Sequence, residues 1–416
     1  MSLSYVSVLR VPRAARPFAA TLVGRLSYGI VPLALLLAVK NAAGSYAVAG
    51  GVMALFGALS VVLSPARAAL IDRYGAPRAL PPMAGVYAGL LVVVALLTWR
   101  PGAPVALVGA LTVAAGACTP PLGPVMRAVW SALVPDRALL QRAYSLDGVA
   151  EELMYITAPL LVGVLLTVSG PSAGVLVGAV LVFSGATVLA TSPAVPRGSR
   201  ARAAGGKGSA APRLRLRGIA PLRHAVLVTG AVGLGLGSLE LLVVAFTESL
   251  HSASSVSWVL AALSAGSAVG GLSYGAVRWR SPDRVRLPLV AAALGATLLA
   301  AGFSPGLPVL AVLIAVAGLF VAPALTTAYL IADASVDEGR RTRAGAWVNT
   351  AFNAGSAAGS AAAGLLIDRL PLAVCFALAA APALLCAPLM LRAGVRGSRQ
   401  AGAPDTGART DAVSGA

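Results

Sequence analysis

The sequence predicts an all-α integral membrane protein with about twelve transmembrane helices in two sets of six. Of its 416 residues, 58% are apolar and only 11% are charged, whereas soluble domains carry about 25% charged residues. The apolar residues come in blocks of about 20, the length that a helix needs to cross ~30 Å of hydrocarbon. A chain of this composition cannot cover itself with enough polar surface to stay in water.

The predicted spans lie on either side of a basic linker. The first six cover residues 18–39, 47–66, 80–98, 103–125, 144–168 and 172–191, and the second six cover 224–247, 255–277, 287–304, 307–331, 344–367 and 371–391. Residues 192–223 are rich in Gly, Pro, Ser and Arg and contain no acid, so we expect a flexible linker. The predicted organisation is an N-terminal segment (1–17), two bundles (18–191 and 224–391), this linker, and a disordered tail (392–416).

The placement of basic residues predicts the orientation. If the N-terminus is cytoplasmic, nearly all of the 32 Lys and Arg residues fall on the cytoplasmic side. The opposite side has only Lys40, Arg100 and Arg369, and Arg25 lies within a span. By the positive-inside rule both termini are cytoplasmic, and we expect a multi-pass protein of a bacterial inner membrane. The net charge of +18 then serves contact with the anionic lipid bilayer, and no nucleic-acid partner is expected.

Several function classes are disfavoured by what the sequence lacks. The predicted outer loops are very short, whereas a receptor or adhesin needs an outer domain. The cysteines lie in apolar segments without metal-ligand spacing, and the two histidines are far apart in sequence. The stretch Gly206-Lys207-Gly208 lacks the Ser or Thr of a phosphate-binding loop. We therefore expect no enzyme activity, no cofactor and no metal site, with a membrane-embedded enzyme and a non-transporting sensor as the alternatives from other classes.

The most informative motif follows the second predicted span. It reads Ala68-Ala-Leu-Ile-Asp72-Arg73-Tyr74-Gly75-Ala-Pro-Arg78. Gly75 permits a tight turn, Asp72 suits the positive N-terminus of another helix, and the arginines hold the loop in the cytoplasm. The pattern resembles the loop 2–3 signature of the major facilitator superfamily, although Ala68 replaces the usual Gly. An ordinary inner turn is the alternative.

This resemblance carries specific implications. It implies two pseudo-symmetric six-helix bundles that rock about a central site, and a gating motif made of Asp72, Arg73, Gly75 and Arg78. In this family the aspartate docks near the start of helix 11, here about Ala344, and latches the outward-open state. A partial echo of the motif, Gly364-Leu-Leu-Ile-Asp368-Arg369, ends helix 11.

Helices 4 and 5 bear on the direction of transport. Ala158-Pro159-Leu-Leu-Val-Gly163 resembles a degraded form of the Gly-Pro motif of proton-coupled drug exporters. Those exporters carry an Arg in helix 4 where this chain has Thr112, which puts simple drug/proton antiport in doubt. We expect a monomeric, proton-coupled exporter of a small solute, with an importer of a small metabolite as the alternative. Few charges are assigned to the cavity, which favours an apolar or weakly charged solute.

Ionisable residues within spans are costly, so each calls for a functional hypothesis. Asp147 and Glu151 lie four residues apart on one face of helix 5, with Glu152 beside them, and Arg25 lies at similar depth in helix 1. We expect Arg25 to pair with Glu151 or Glu152 and the second acid to carry protons; the alternative is a static ion pair. Glu240 is either part of a gate, where Gly233, Gly235 and Gly237 let its helix bend, or an interfacial acid.

Polar residues in other helices complete the candidate site. Tyr28, Asn349 and Asn353 are candidates for lining the cavity, with helix–helix hydrogen bonding as the alternative. Arg127 and Trp130 follow a proline-rich stretch at the inner mouth of helix 4. We expect these two side chains to anchor the helix among lipid headgroups.

Overall fold

The computed structural model describes residues 5–100, 102–195, 219–252 and 255–401, which are helical with short connections and no strand. The N-terminal half contains α1 (Val6–Leu9), α2 (Ala15–Ala43), α3 (Tyr46–Val62), α4 (Ser64–Tyr74), α5 (Ala76–Leu97), α6 (Val105–Cys118), α7 (Leu122–Leu133), α8 (Arg137–Val168) and α9 (Pro171–Ala190). The C-terminal half contains α10 (Ala220–Ser249), α11 (Val256–Ala276), α12 (Asp283–Ala301), α13 (Leu307–Ala334), a 3-10 turn (Glu338–Arg340), α14 (Arg341–Leu366) and α15 (Leu372–Ala401).

These helices account for the twelve predicted spans. Among the described residues, eight helical segments are long and apolar enough to cross a membrane, with α6 and α7 taken together, and the pair α3–α4, bent by 41°, adds a ninth. Helices α8, α14 and α15 take the places of predicted spans 5, 11 and 12. The predicted all-α membrane architecture is confirmed, and the structure agrees with the expected number of spans.

Helix ends extend beyond the predicted spans. Helix α2 begins at Ala15, α10 begins at Ala220 and α15 ends at Ala401, whereas the predicted spans begin at 18 and 224 and end at 391. Apolar patterns mark only the part of a helix that lies in hydrocarbon, and helices continue past it. Most of the predicted linker and most of the predicted tail lie outside the described residues.

The two halves repeat the same packing. Helix α3 packs on α6, α5 on α9 and α2 on α8 in the first half, and the corresponding pairs in the second half are α11 with α13, α12 with α15 and α10 with α14. Repeated packing of this kind is typical of transporters built from internal repeats. Two pseudo-symmetric six-helix bundles result.

Prolines break two spans of the first half. Pro65 lies in the first turn of α4, and Pro120 and Pro121 separate α6 from α7. Proline has no N–H group and clashes with the preceding turn, so each span bends at these positions. The helices that follow the two breaks, α4 and α7, both contact α14 in the other half.

Glycines allow α10 and α14 to pack closely. A Cβ atom on Gly237 would overlap the carbonyl oxygen of Ser356, and one on Gly359 would overlap that of Leu234. Small residues permit such close approach within a bilayer. Helix α10 is continuous over its 30 residues, and these glycines act at a helix contact; bending of this helix as a gate stays a hypothesis.

This contact predicts a difference between two glycine substitutions. Gly237→Ala is expected to destabilise the fold by about 1–3 kcal/mol because the added methyl group has no space. Gly89→Ala on α5 is the control, since a Cβ there meets nothing within 4 Å. Denaturant unfolding of the purified protein in detergent measures both. Equal stability of the two variants would contradict the close-packing interpretation.

Candidate functional site

A cavity of about 750 Å³ lies between the two halves. Helices α2, α3, α4, α7 and α8 form its wall on one side, and α10, α11, α13 and α14 form the other. The structure places all but one of the predicted charged and polar candidates on its lining: Arg25, Tyr28, Glu151, Glu152, Glu240, Asn349 and Asn353. The exception is Asp147, which is fully buried beside the lining.

Four charged side chains form a cluster in the N-terminal wall. Arg25 contacts Asp147 at 2.8 Å and Glu151 at 2.7 Å. Arg127 contacts the same two carboxylates at 3.2 and 3.0 Å. Asp147 and Glu151 share a face of α8 because they are four residues apart. The cluster contains two cations and two anions, so each buried charge is compensated.

The part played by Arg127 differs from the sequence prediction. Its side chain is buried, and its guanidinium lies 3.7 Å from the ring centroid of Tyr329 in α13. Trp130 is also buried and packs against Phe18. The prediction that Arg127 and Trp130 anchor among headgroups is therefore wrong. The sequence did hold a signal for a second buried cation: Asp147 and Glu151 lie one turn apart, and two buried carboxylates require two cations.

Glu152 points to the other half of the molecule. Its carboxylate accepts a hydrogen bond of 2.9 Å from the Ser267 hydroxyl of α11. In the described part of the chain it has no basic partner within ion-pair distance, although it lies next to the charged cluster. Glu240 also lines the cavity without such a partner there. These two are the uncompensated acids of the cavity lining.

Arg67 is a cavity residue that the sequence prediction missed. It is buried, and it donates hydrogen bonds to the carbonyls of Gly116 and Ala117 at 2.9 and 2.8 Å and to that of Ser60. In a continuous helix the N–H groups of residues 120 and 121 would satisfy the first two carbonyls, but both positions are proline. Arg67 thus replaces the donors that these prolines remove.

The same logic explains Tyr28. Pro124 cannot donate to the carbonyl of Pro120, and the Tyr28 hydroxyl donates to that carbonyl instead. Tyr28 therefore lines the cavity and also stabilises the break between α6 and α7.

The two asparagines lie on α14, beside Tyr329. The Tyr329 hydroxyl is 3.4 Å from the side-chain oxygen of Asn349, and the Asn353 amide donates to the Asn349 carbonyl at 2.9 Å. Both side chains line the cavity. Through Tyr329 and Arg127 they connect to the charged cluster in the opposite wall.

The halves touch at one end of the cavity, which we call the basic end because it carries the predicted cytoplasmic loops with Arg78, Arg278 and Arg340. There Asp72 accepts a hydrogen bond of 2.9 Å from the backbone N–H of Arg343 in the first turn of α14. This docking point is one residue from the expected position at Ala344. The Thr350 hydroxyl also donates to the Val61 carbonyl at 3.3 Å, which Pro65 leaves without its usual donor.

The rest of the loop 2–3 motif supports this contact. Gly75 has φ of +83° between α4 and α5, a conformation that glycine adopts without strain. Arg73 lies over the ring of Tyr74, and Arg78 is exposed. The turn holds Asp72 at the boundary between the halves.

A second set of contacts closes the basic end between α8 and α11. The Gln141 amide donates to the Tyr274 carbonyl at 2.7 Å, and Arg137 pairs with Asp283 at the start of α12. The Tyr5 hydroxyl, just before α1, donates to the Leu272 carbonyl. The cavity is thus sealed toward the basic end on two sides of the molecule.

Comparison with known proteins identifies this architecture. Residues 225–413 match the family model of the Major Facilitator Superfamily. A bacterial homologue of the iron transporter ferroportin in an outward-facing state superposes with a TM-score of 0.72 at 15% identity, covering 92% of this chain and 100% of that one. The chain has the major facilitator superfamily fold.

Two further transporters share this fold. The human organic anion transporter MFSD10 gives a TM-score of 0.68 at 17% identity, covering 92% of this chain and 99% of that one. The E. coli fucose:proton symporter FucP gives 0.63 at 15% identity, covering 90% and 98%. No curated protein sequence gives a significant match. The resemblance drawn from the loop 2–3 motif is confirmed, and this is a fold of membrane transporters.

The proline-freed carbonyls predict a rescue experiment. Arg67→Met is expected to destabilise the protein by about 1–3 kcal/mol, because the Ala117 carbonyl loses its donor and the Gly116 carbonyl keeps only the Thr119 hydroxyl at 3.1 Å. Adding Pro120→Ala and Pro121→Ala restores N–H groups four residues after Gly116 and Ala117, so the triple variant should regain stability. Denaturant unfolding in detergent measures each protein. A triple variant less stable than Arg67→Met would refute the capping role of Arg67.

The charged cluster predicts strong energetic coupling between Arg25 and Asp147. Arg25→Gln and Asp147→Asn should each cost about 3–5 kcal/mol, because each leaves a buried charge uncompensated. The double variant should cost clearly less than their sum. Unfolding in detergent gives the coupling free energy.

A pair with one solvent-exposed partner serves as the control for this cycle. Arg341 also contacts Asp333 at 3.3 Å, but Glu338 is 87% exposed and lies 3.8 Å from Arg341. Arg341→Gln and Glu338→Gln should therefore couple by only about 0–1 kcal/mol. Equal coupling in the two cycles would show that burial does not strengthen the cluster.

Proposed function

We propose that this chain is a monomeric secondary transporter that exports a small solute across a bacterial inner membrane by alternating access, coupled to protons. The observation that carries the proposal is the cavity between two pseudo-symmetric halves, closed at one end by contacts between them. Such a cavity becomes accessible from alternate sides when the halves rock. A channel would instead need a continuous path.

The closed end supports an outward-facing state. The basic end carries most of the loop arginines, and the positive-inside rule favours the cytoplasm for that end. Both termini are then cytoplasmic, and closure at this end leaves the cavity to open outward. The Asp72 contact with the start of α14 is the latch that the loop 2–3 motif implies for this state.

Glu152 is the best candidate for the proton carrier. Asp147 and Glu151 each contact two arginines, so removing the charge of either acid would leave two buried cations against one anion. Glu152 has no such constraint within the described contacts, and its bond to Ser267 joins the halves. Protonation of Glu152 weakens that acceptor, so proton binding alters a contact that depends on the conformational state. Glu240, which lines the cavity on α10, is the second candidate for the proton carrier.

The cavity lining favours a polar solute. Arg25, Arg67 and Arg127 line it together with Glu151, Glu152, Glu240 and the two asparagines. The sequence favoured an apolar or weakly charged solute because Arg67 and Arg127 were not assigned to the cavity. Hydrogen-bond donors and acceptors at this density suit a sugar or an organic acid. The partial exporter motif of predicted helix 5 supports export as the direction of transport. A measurement that shows import would replace this part of the proposal.

The proposal predicts solute-driven proton movement in proteoliposomes that contain a pH-sensitive dye. The probes are fucose, succinate, ferrous iron and ethidium, which represent a sugar, an organic anion, a metal ion and a lipophilic cation. We expect one of the polar organic probes to drive proton flux. Glu152→Gln should abolish that flux while leaving solute exchange at the level of the unaltered protein, because exchange needs no net proton transfer.

Glu248→Gln is the control, since Glu248 is exposed near the far end of α10 and is not among the residues lining the cavity. Its proton flux should match that of the unaltered protein. Undiminished flux in Glu152→Gln would remove Glu152 from the mechanism, and solute movement without protons would overturn the proposed coupling. Flux only toward the side of the basic end would establish import.

A further inference from the structure

A second pocket lies at the basic end, outside the central cavity. It has a volume of about 710 Å³, and its lining combines the start of α8, the α11–α12 loop, the start of α12 and the end of α13. Four arginines line it against two aspartates: Arg137, Arg278, Arg284, Arg286, Asp136 and Asp283. The lining therefore carries an excess of positive charge.

Arg286 forms the buried floor of this pocket. Only 7% of it is exposed, and its guanidinium lies 5.4 Å from the ring centroid of Tyr274 and 5.6 Å from that of Trp279. It pairs with Asp283 and donates to the Gln141 side chain at 3.2 Å, while its Nε–H group has no hydrogen-bond partner. The chain therefore satisfies this buried cation only in part, and its charge adds to the positive potential of the pocket.

The acids of the pocket are already engaged. Asp283 is shared between Arg137 and Arg286. The Asp136 carboxylate accepts the backbone N–H of Leu139 at the start of α8. Arg278 and Arg284 have no carboxylate partner in the described part of the chain. Two helix N-termini, those of α8 and α12, add partial positive charge at the same place.

We propose that this pocket binds the phosphate headgroup of an anionic phospholipid. Helices α8 and α12 begin here and α11 and α13 end here, which puts the pocket at the level of the headgroups whichever leaflet it faces. Trp279 is 45% exposed at its rim, a position typical of the membrane interface. Val285 and Leu289 follow on the exposed face of α12 and continue the pocket as an apolar track for an acyl chain.

The pocket has one wall from each half of the molecule. Asp136, Arg137 and Gln141 belong to the N-terminal half, and the other charged lining residues belong to the C-terminal half. A headgroup bound between these walls stabilises the state in which the basic end is closed, because rocking of the halves separates the walls. This consequence rests on the proposed alternating access, whereas lipid binding itself does not.

Binding is tested by the melting temperature of the purified full-length protein in detergent. Added phosphatidylglycerol should raise the melting temperature more than phosphatidylcholine does. Arg278→Ala/Arg284→Ala should lose most of that difference. Arg10→Ala/Arg16→Ala removes the same charge from exposed positions before α2 and in its first turn, and this variant should keep the preference for phosphatidylglycerol.

Three results would overturn the lipid site. These are an equal loss in the control variant, no preference for phosphatidylglycerol, and the same stabilisation by glycerol 3-phosphate, which would indicate a soluble phosphate ligand. None of these measurements requires transport, so failure of the lipid site and failure of the proposed transport can be distinguished.

The effect on conformation is tested separately by spin-label distances. Labels at Leu70→Cys and Gly339→Cys, with the three native cysteines replaced by serine, report the separation of the halves at the basic end. Phosphatidylglycerol should increase the population at short distance, and Arg278→Ala/Arg284→Ala should abolish this shift. A shift to longer distance would refute stabilisation of the closed state.

Discussion

A backbone carbonyl without a donor is costly in hydrocarbon, and the prolines of this chain create several such carbonyls within two spans. The donors that satisfy them determine much of the site. Arg67 and Tyr28 supply donors at the break between α6 and α7, which places a cation and a phenol on the cavity wall. Thr350 supplies one at the break between α3 and α4, and it comes from the opposite half. The same proline that bends span 2 therefore provides an acceptor for closing the basic end.

The acids at the cavity differ in whether arginines compensate their charge. Arg25 and Arg127 neutralise Asp147 and Glu151, and the cluster fixes α2, α7 and α8 relative to one another. Glu152, the next residue along α8, points away from the cluster because consecutive helix positions differ by about 100°. It reaches Ser267 in the other half instead. Adjacent residues on one helix thus supply an ion pair within one half and a hydrogen bond between the halves.

The sequence predicted those features that depend on local pattern. Span positions, the paired halves, the docking of Asp72 and the pairing of Arg25 with Glu151 all follow from composition, charge placement or one motif. Arg67 and Arg127 were missed for a common reason: each lies just past the end of a predicted span, 47–66 or 103–125, and the proline breaks in these spans change which residues lie at cavity depth. The sequence did not reveal the close contact of Gly233 and Gly237 with α14, because their partners Phe352 and Ser356 are more than a hundred residues away in sequence.

The two sides of the closed end are built from different interactions. On one side Asp72 meets the N-terminus of α14, where backbone N–H groups and the helix dipole stabilise a carboxylate, so the contact compensates its own charge. On the other side, closure brings Arg137 toward Arg286 with Asp283 between them, while Arg278 and Arg284 add further positive charge. That side has too few anions of its own, so the free energy of closure depends on anions from the surroundings. In a headgroup layer those anions are lipid phosphates, and the balance between open and closed states becomes a property of the protein together with its membrane.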